Sequence, residues 1–148
     1  MEFLPTDFLT GKEVKLILDH TDEGDPERNW VPAYHFAICN LEGTRMGGCD
    51  LRIGYTDGLY FGGHIGYHIE PAFRGHHYAA QACELLFLLA AKHHMPYLII
   101  SCNPDNWPSR KTCEYLHGEL LEIAELPEDN DMRVEVGETN KCIFKFVL

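Results

Sequence analysis

The chain is short of positive charge: Lys and Arg together number 12 against 23 Asp and Glu, a formal net charge of −11 over 148 residues. Without Lys and Arg clusters there is little to neutralise phosphates, which argues against nucleic acid as a partner. Long apolar runs are missing too. A membrane span needs about 18 or more apolar residues in succession, and the longest candidate, Ala79–Ala91, is broken by Gln81 and Glu84, so no membrane partner is expected. The N-terminus, MEFLPTDFLT, lacks a basic flank followed by an apolar run; no secretory signal is expected, and a cytoplasmic location is the default. Cysteine pairs at CxxC spacing are absent. Cys39, Cys49, Cys83, Cys102, Cys113 and Cys142 stand singly, most of them in apolar runs where Cys behaves as a small buried hydrophobe. A disulfide framework is therefore not expected. Repeats, low-complexity tracts and linkers are also lacking, so residues 1–148 read as a single domain.

What is present is an ordinary globular hydrophobic content of 45% and an uneven acidity, with eight carboxylates against one Arg from Glu119 to Glu138 and a second acidic stretch at Asp19–Glu27. Such runs are usually solvated loops, although they would also attract a cationic substrate. Apolar runs and alternation predict strands at Val14–Leu18, Val31–Cys39, Arg45–Ile53 and Tyr60–Ile69, with Asp19–Asn29 as a loop. The period then changes. Tyr78, Ala82, Leu85, Leu86 and Leu89 recur at helical spacing between His77 and His94, and Phe87, Leu88 and Ala91 make the other side apolar, so a largely buried helix is expected. Tyr97–Ser101 reads as a buried strand. Asn106 or Trp107 can cap a short helix with Pro108 in its first turn, stopping at Gly118. Leu120–Ala124 and Cys142–Leu148 read as the last strands. The fold class is α+β: a mostly antiparallel central sheet of about six to seven strands, with a buried helix after the fourth and a short helix after the fifth.

The informative unit is GHIGYHIEPAFRGHHYAAQACELL. A strand runs into Pro71, a short loop holds Arg74 and Gly75, and a long helix begins at once. The first N–H groups of such a helix lack intrahelical partners and carry partial positive charge, which suits a pyrophosphate. Gly75 allows a close backbone approach, and Arg74 can neutralise charge. An ordinary strand-to-helix turn with a surface Arg is the plain alternative.

Arg74-Gly75-His76-His77-Tyr78-Ala79 resembles the acetyl-CoA motif R/Q-x-x-G-x-G/A of the GNAT (Gcn5-related N-acetyltransferase) superfamily, with His77 standing where the motif has its central glycine. Downstream, Asn106-Trp107-Pro108-Ser109 followed by Glu114 and Gly118 is similar to the family's N-x-x-S-x-x-x-x-E-x-x-G pattern, one residue longer before the glycine. Together the two motifs span Gly62–Gly118. The resemblance implies a GNAT-like fold and acetyl-CoA as co-substrate. It places the cofactor on Ile69, Arg74, Gly75, His76, His77, Tyr78, Ala79, Asn106 and Ser109, with the Asn side chain on the pantetheine arm. Ser109 points to the branch resembling ribosomal-protein acetyltransferases. GNAT domains usually carry two helices between their first two strands; Asp19–Trp30 is too short for both. The acceptor side is therefore expected to be open, or completed by a second subunit in a homodimer.

The implied reaction is direct attack of an amine, from a small molecule or a peptide, on the thioester. The ammonium must first lose its proton, with a pKa of roughly 10.4 for a lysine-like amine and about 8 for an α-amine, so a base is useful. His64 is the first candidate, with His68 and Glu70 as alternatives on the same strand face. The family's usual acid, a Tyr seven residues after the motif Asn, falls here on Cys113, with Tyr115 two further on. No metal is expected: His64 and His68 are roughly 13 Å apart on an extended strand, too far to share an ion. A catalytically idle CoA-binding module and a purely structural interaction domain remain open beside the enzyme.

Overall fold

Alternation in the first half of the chain becomes an antiparallel meander. In the computed structural model, which describes residues 1–148, β1 (Val14–Asp22), β2 (Ala33–Asn40), β3 (Arg45–Arg52) and β4 (Ile65–Ile69) pair in that order. A second antiparallel sheet has the order β5 (Tyr97–Cys102), β7 (Asn140–Val147), β6 (Glu119–Glu125). Four helices complete the α+β fold: α1 (Asp57–Gly62), α2 (Tyr78–Lys92), α3 (Trp107–Tyr115) and α4 (Asp131–Val136). The seven strands are thus divided between two sheets that lie side by side with β4 next to β5. No helix is long and apolar enough to cross a membrane.

Three segments depart from the sequence reading. β1 continues past Leu18 to Asp22, because β2 offers it partners as far as Ala33. A bulge between Leu18 and His20 breaks the alternation there and hides the strand. The rest of the expected loop holds a 3-10 turn at Pro26–Arg28, capped by Asp25. The expected strand Tyr60–Ile69 is strand only from Ile65. Before it, Thr56 Oγ1 accepts the Leu59 N–H at 3.1 Å, and this cap with Asp57 in the first turn starts α1. The unforeseen α4 begins in the same way, Asn130 Oδ1 accepting the Met132 N–H at 2.9 Å, and stops at Gly137 in the left-handed region.

The core lies between the four-stranded sheet and α2. Ala82, Cys83, Leu85, Leu86, Leu89 and Ala90 of the helix pack on Leu16, Tyr34, Phe36, Ile38 and Leu51 of the sheet, and Phe144 and Phe146 of β7 close the cluster. Only one face of that sheet is covered. His35 on β2, Gly48 and Asp50 on β3 and Gly66 on β4 belong to the opposite face, which no helix overlies because so few residues separate β1 from β2.

β4 and β5 are joined at one end and part at the other. Gly63, with φ 81°, brings the chain so close to β5 that an added Cβ would sit 3.1 Å from Ser101 N. The next residue forms the joint. The His64 N–H donates to Ile99 O at 2.7 Å. The Ile99 N–H donates back to His64 Nδ1 at 2.9 Å, which leaves the ring proton on Nε2, bonded to Gly54 O at 2.8 Å. The imidazole is 1% exposed, and burial lowers its pKa, with Arg52 adding to the effect against the two backbone hydrogen bonds.

His64 in the folded protein thus resists a proton that the unfolded chain accepts near pH 6.5. The unfolded state binds more protons below that pH, so stability is present above it and falls as pH falls; His93, also shifted down by burial, acts with the same sign. Denaturant melts at pH 7.5, 6.5 and 5.5 should show a decreasing free energy of unfolding. His64→Leu, which orphans the Ile99 N–H and the Gly54 carbonyl, should cost about 2–5 kcal/mol at pH 7.5 and flatten the pH slope. An unchanged slope would show that the joint does not titrate.

Candidate active site

Where β4 and β5 part, a cleft of about 610 Å³ opens, bounded by β4, the loop after it, the start of α2 and the start of α3. Pro71–Phe73 forms a 3-10 turn, and Arg74 Nε donates to Ile69 O at 2.8 Å, folding the side chain back along the end of β4. The guanidinium is exposed and lines the cleft. No side chain caps α2, and the first bond of its ladder runs from the Gln81 N–H to His77 O. Its first-turn N–H groups are therefore free for an anion. On the other wall, Asn106 Oδ1 accepts the Ser109 N–H at 3.3 Å and fixes the start of α3.

His77 has φ 60°, the left-handed conformation a glycine takes without penalty. Its ring turns away from the helix axis and stacks on Tyr115, centroids 4.2 Å apart and planes 12° apart. The side chain that replaces the motif's glycine is thus held against α3.

Of the residues expected to hold the cofactor, Ile69, Arg74, Gly75, His77, Tyr78, Ala79, Asn106 and Ser109 line the cleft; His76 stacks on Tyr78 outside the lining. The residues expected to move protons separate more sharply. His68 is exposed and lines the cleft. Its ring lies across the neighbouring strand, Cε1 2.9 Å from the point where a Cβ on Gly48 would sit, so a glycine is what lets it lie flat. His64 is in the joint, with both ring nitrogens engaged, and as arranged has no lone pair for an amine proton. Cys113 is fully buried, and burial, with the Cys102, Cys83 and Cys142 thiols beside it, pushes its own thiol up so that it stays protonated. Glu70 lies exposed at the end of β4.

Of the lining residues that escaped the sequence reading, Tyr67, Phe73, Pro108, Lys111 and Thr112, two carry chemistry. Tyr67 shares a strand face with Ile65 and Ile69 and reads as core, yet its hydroxyl reaches the cleft and donates to Ser109 Oγ at 3.2 Å. Burial pushes this phenol up, so it stays protonated. A phenol on an apolar strand face was the available signal, since a buried hydroxyl needs a partner. Lys111 adds a second cation to the cleft from the exposed side of α3; nothing in its local sequence set it apart from a solvated lysine.

The fold recurs in solved structures. A proposed ribosomal-protein-serine acetyltransferase from Vibrio cholerae superposes with a TM-score of 0.67 at 17% identity, over 98% of this chain and 100% of that one. The acetyltransferase that modifies the N-terminal serine of a 50S ribosomal subunit protein in Salmonella typhimurium gives 0.59 at 17%, over 82% and 66%. A microcin self-immunity acetyltransferase in complex with acetyl-CoA and AMP gives 0.61 at 18%, over 78% and 61%. Against several of these structures the chain spans a little under two thirds of the other's length. No curated protein matches by sequence. The model of the acetyltransferase (GNAT) domain matches residues 1–119. The chain belongs to the GNAT acetyltransferase family.

If His77 serves the site by its backbone conformation, His77→Val, β-branched at positive φ, should destabilise by about 1–3 kcal/mol. His77→Gly, which relaxes the backbone but loses the Tyr115 stack, should stay within about 1 kcal/mol of wild type. Thermal unfolding of both variants checks this; an equally tolerated Val would mean that the left-handed geometry is not what residue 77 supplies.

Proposed function

We propose that the protein is an N-acetyltransferase that moves an acetyl group from acetyl-CoA to a primary amine by direct attack. The observation that carries this reading is the cleft between the end of β4 and the start of α3, which exposes the free N–H groups of α2 and reaches Tyr67 and His68, where a second cavity on the bare sheet face begins. The donor set fits the co-substrate. Arg74, Lys111 and the first-turn N–H groups of Tyr78 and Ala79 would hold its phosphates, and Asn106 and Ser109 would line the pantetheine arm. Acetyl-CoA supplies the activated acyl group as a thioester.

The chain's own residues then divide the proton work. His68, open to both cavities, is the group that takes the proton from the incoming ammonium, directly or through water. The backbone around His68–Ile69, on the strand edge that has left β5, offers N–H groups to the carbonyl oxygen as charge develops there. Tyr67 stays protonated and so can offer its O–H to the departing sulfur without ionising. The acceptor is a primary amine; the fold relatives named for ribosomal proteins bring peptide amines into range, and the acidic surface favours cationic small amines. Six free, buried thiols suit a reducing compartment and support a cytoplasmic location.

A second reading, a CoA-binding module without turnover, draws support from the sealing of both His64 and Cys113. Binding and turnover measurements separate the two. Acetyl-CoA and CoA, but not a CoA-free adenine nucleotide, should raise the melting temperature; saturation at 100 times Kd corresponds to about 2.7 kcal/mol. Arg74→Ala should weaken acetyl-CoA in calorimetry by about 1.5–3 kcal/mol. In a thiol-release assay with an amine panel, His68→Ala should lower kcat by tenfold or more while leaving acetyl-CoA affinity within about threefold. Absence of a CoA-specific shift would overturn the reading, and full activity in His68→Ala would remove that residue's role.

A further inference from the structure

One wall of the cofactor cleft, at Asn106 and Ser109, is held from a part of the chain far away in sequence. Lys141, the second residue of β7, is 8% exposed. A charge so enclosed needs a partner, and its ammonium nitrogen lies 2.6 Å from Glu138 Oε2 in the connection after α4. The hydrogen bond from Lys141 holds the Glu138 carboxyl below the usual carboxylate range, against the opposing effect of burial. The carboxylate is thus ionised and fixed in place. Its other oxygen, Oε1, accepts the Asn103 side-chain amide at 3.4 Å.

Asn103 is the first residue after β5, and from it a chain of bonds runs into the cleft. The Asn106 N–H donates to Asn103 O at 2.9 Å and closes a turn. Asn106 Oδ1 accepts the Ser109 N–H at 3.3 Å, and Ser109 Oγ accepts the Tyr67 hydroxyl at 3.2 Å. Arg110 steadies the same turn from α3, donating to Pro104 O at 2.9 Å with its guanidinium 4.4 Å over the Trp107 ring. Asn103 Oδ1 is buried and finds no partner within the protein. Glu138 is therefore what orients the Asn103 amide: turned over, the amide would bring its oxygen against the carboxylate. Asp105 and Asn106 are exposed and polar, so the turn has little apolar burial of its own to fix it. The buried ion pair behind it supplies the fixed point.

We propose that Glu138 is a positioning residue for the cofactor cleft. Anchored by Lys141, it fixes the Asn103–Asn106 turn, and the turn places Asn106, Ser109 and the partner of the Tyr67 hydroxyl. Glu138 does not line the cleft; it acts through Asn103. The kinetic consequence rests on the N-acetyltransferase reading, whereas the chain of contacts does not. Placement of this kind matters to a reaction between two held molecules, where a displacement of about 1 Å made far from the chemistry can cost about 100-fold in rate.

The test removes the link without leaving a buried charge unpaired. A first double variant, Glu138→Leu/Lys141→Met, deletes the carboxylate and its partner together. A second, Glu138→Gln/Lys141→Met, keeps an oxygen for the Asn103 amide. Amide hydrogen exchange is followed by NMR on the whole chain, well below its melting temperature. In the first variant exchange at the Asn106 and Ser109 N–H groups should quicken by about tenfold or more while the Ile38 N–H of β2 is unchanged, and in the second the protection should return. Unchanged exchange, or a uniform rise that includes Ile38 and so reports general loosening, would overturn the proposal. Steady-state kinetics is the other arm. The acetyl-CoA KM should rise about fivefold or more in the first variant, the amine KM staying within about twofold, and should recover in the second. A wild-type acetyl-CoA KM in the first variant overturns the positioning role. Failure of the wild-type protein to bind acetyl-CoA would instead remove the N-acetyltransferase reading, and the exchange result would then decide the contact chain by itself.

Discussion

Everything at the site depends on a parting of two strands that is controlled at one end. His64 is bonded to β5 through its own N–H and through the Ile99 N–H, and to Gly54 through Nε2. A neutral imidazole can both accept and donate along the plane of its ring, so the side chain satisfies two polar groups and the backbone N–H of the same residue a third at the place where the sheets meet. Beyond it β4 and β5 no longer pair, and the cleft opens between the end of β4 and the start of α3. Burial keeps the His64 ring neutral in the folded protein, and that is why the joint loses stability as pH falls.

Two further choices fit the cleft to an anionic ligand. The helix α2 is buried along most of its length but starts without a cap, so its dipole and free N–H groups face the opening. The turn before it requires left-handed backbone at residue 77, and a histidine meets this because its ring finds Tyr115 on α3. A stacking contact between the loop and the opposite wall thus offsets a local backbone cost and ties the two sides of the cleft together. On the far side of the sheet the short connection between β1 and β2 leaves His20, His35 and Asp50 uncovered, and the cleft continues there as an open groove.

How much of this was legible follows from the range of each interaction. The strand–loop–helix unit from Gly63 to Leu86 and the cap at Asn106 rest on contacts between near neighbours in sequence, and the cofactor residues read from them line the cleft, apart from His76. The end of β1 was hidden by its bulge, and α1 and α4 are six residues each, with few local signs beyond the caps Thr56 and Asn130, Asp57 in one first turn and Gly137 at the other stop. A strand was expected through Tyr60 because apolar side chains there suit either element, and short apolar runs do not distinguish them. His64 and His68 share a strand face by count. That one is sealed in a joint and the other open to two cavities depends on Gly54, Ile99 and Gly48, none of which can be placed beside them by counting.

The sequence by itself determined the α+β class, the position of the anion-binding turn and the resemblance to the GNAT family, because period, capping and motif spacing are written within about 20 residues of one another. Only the tertiary structure decided which titratable groups are free to act. A group's protonation depends on its burial and on partners brought from distant strands. Such partners turned His64 into a neutral support, kept Cys113 a protonated thiol, brought the Tyr67 hydroxyl to the cleft, and left His68 open where the cleft meets the bare face of the sheet.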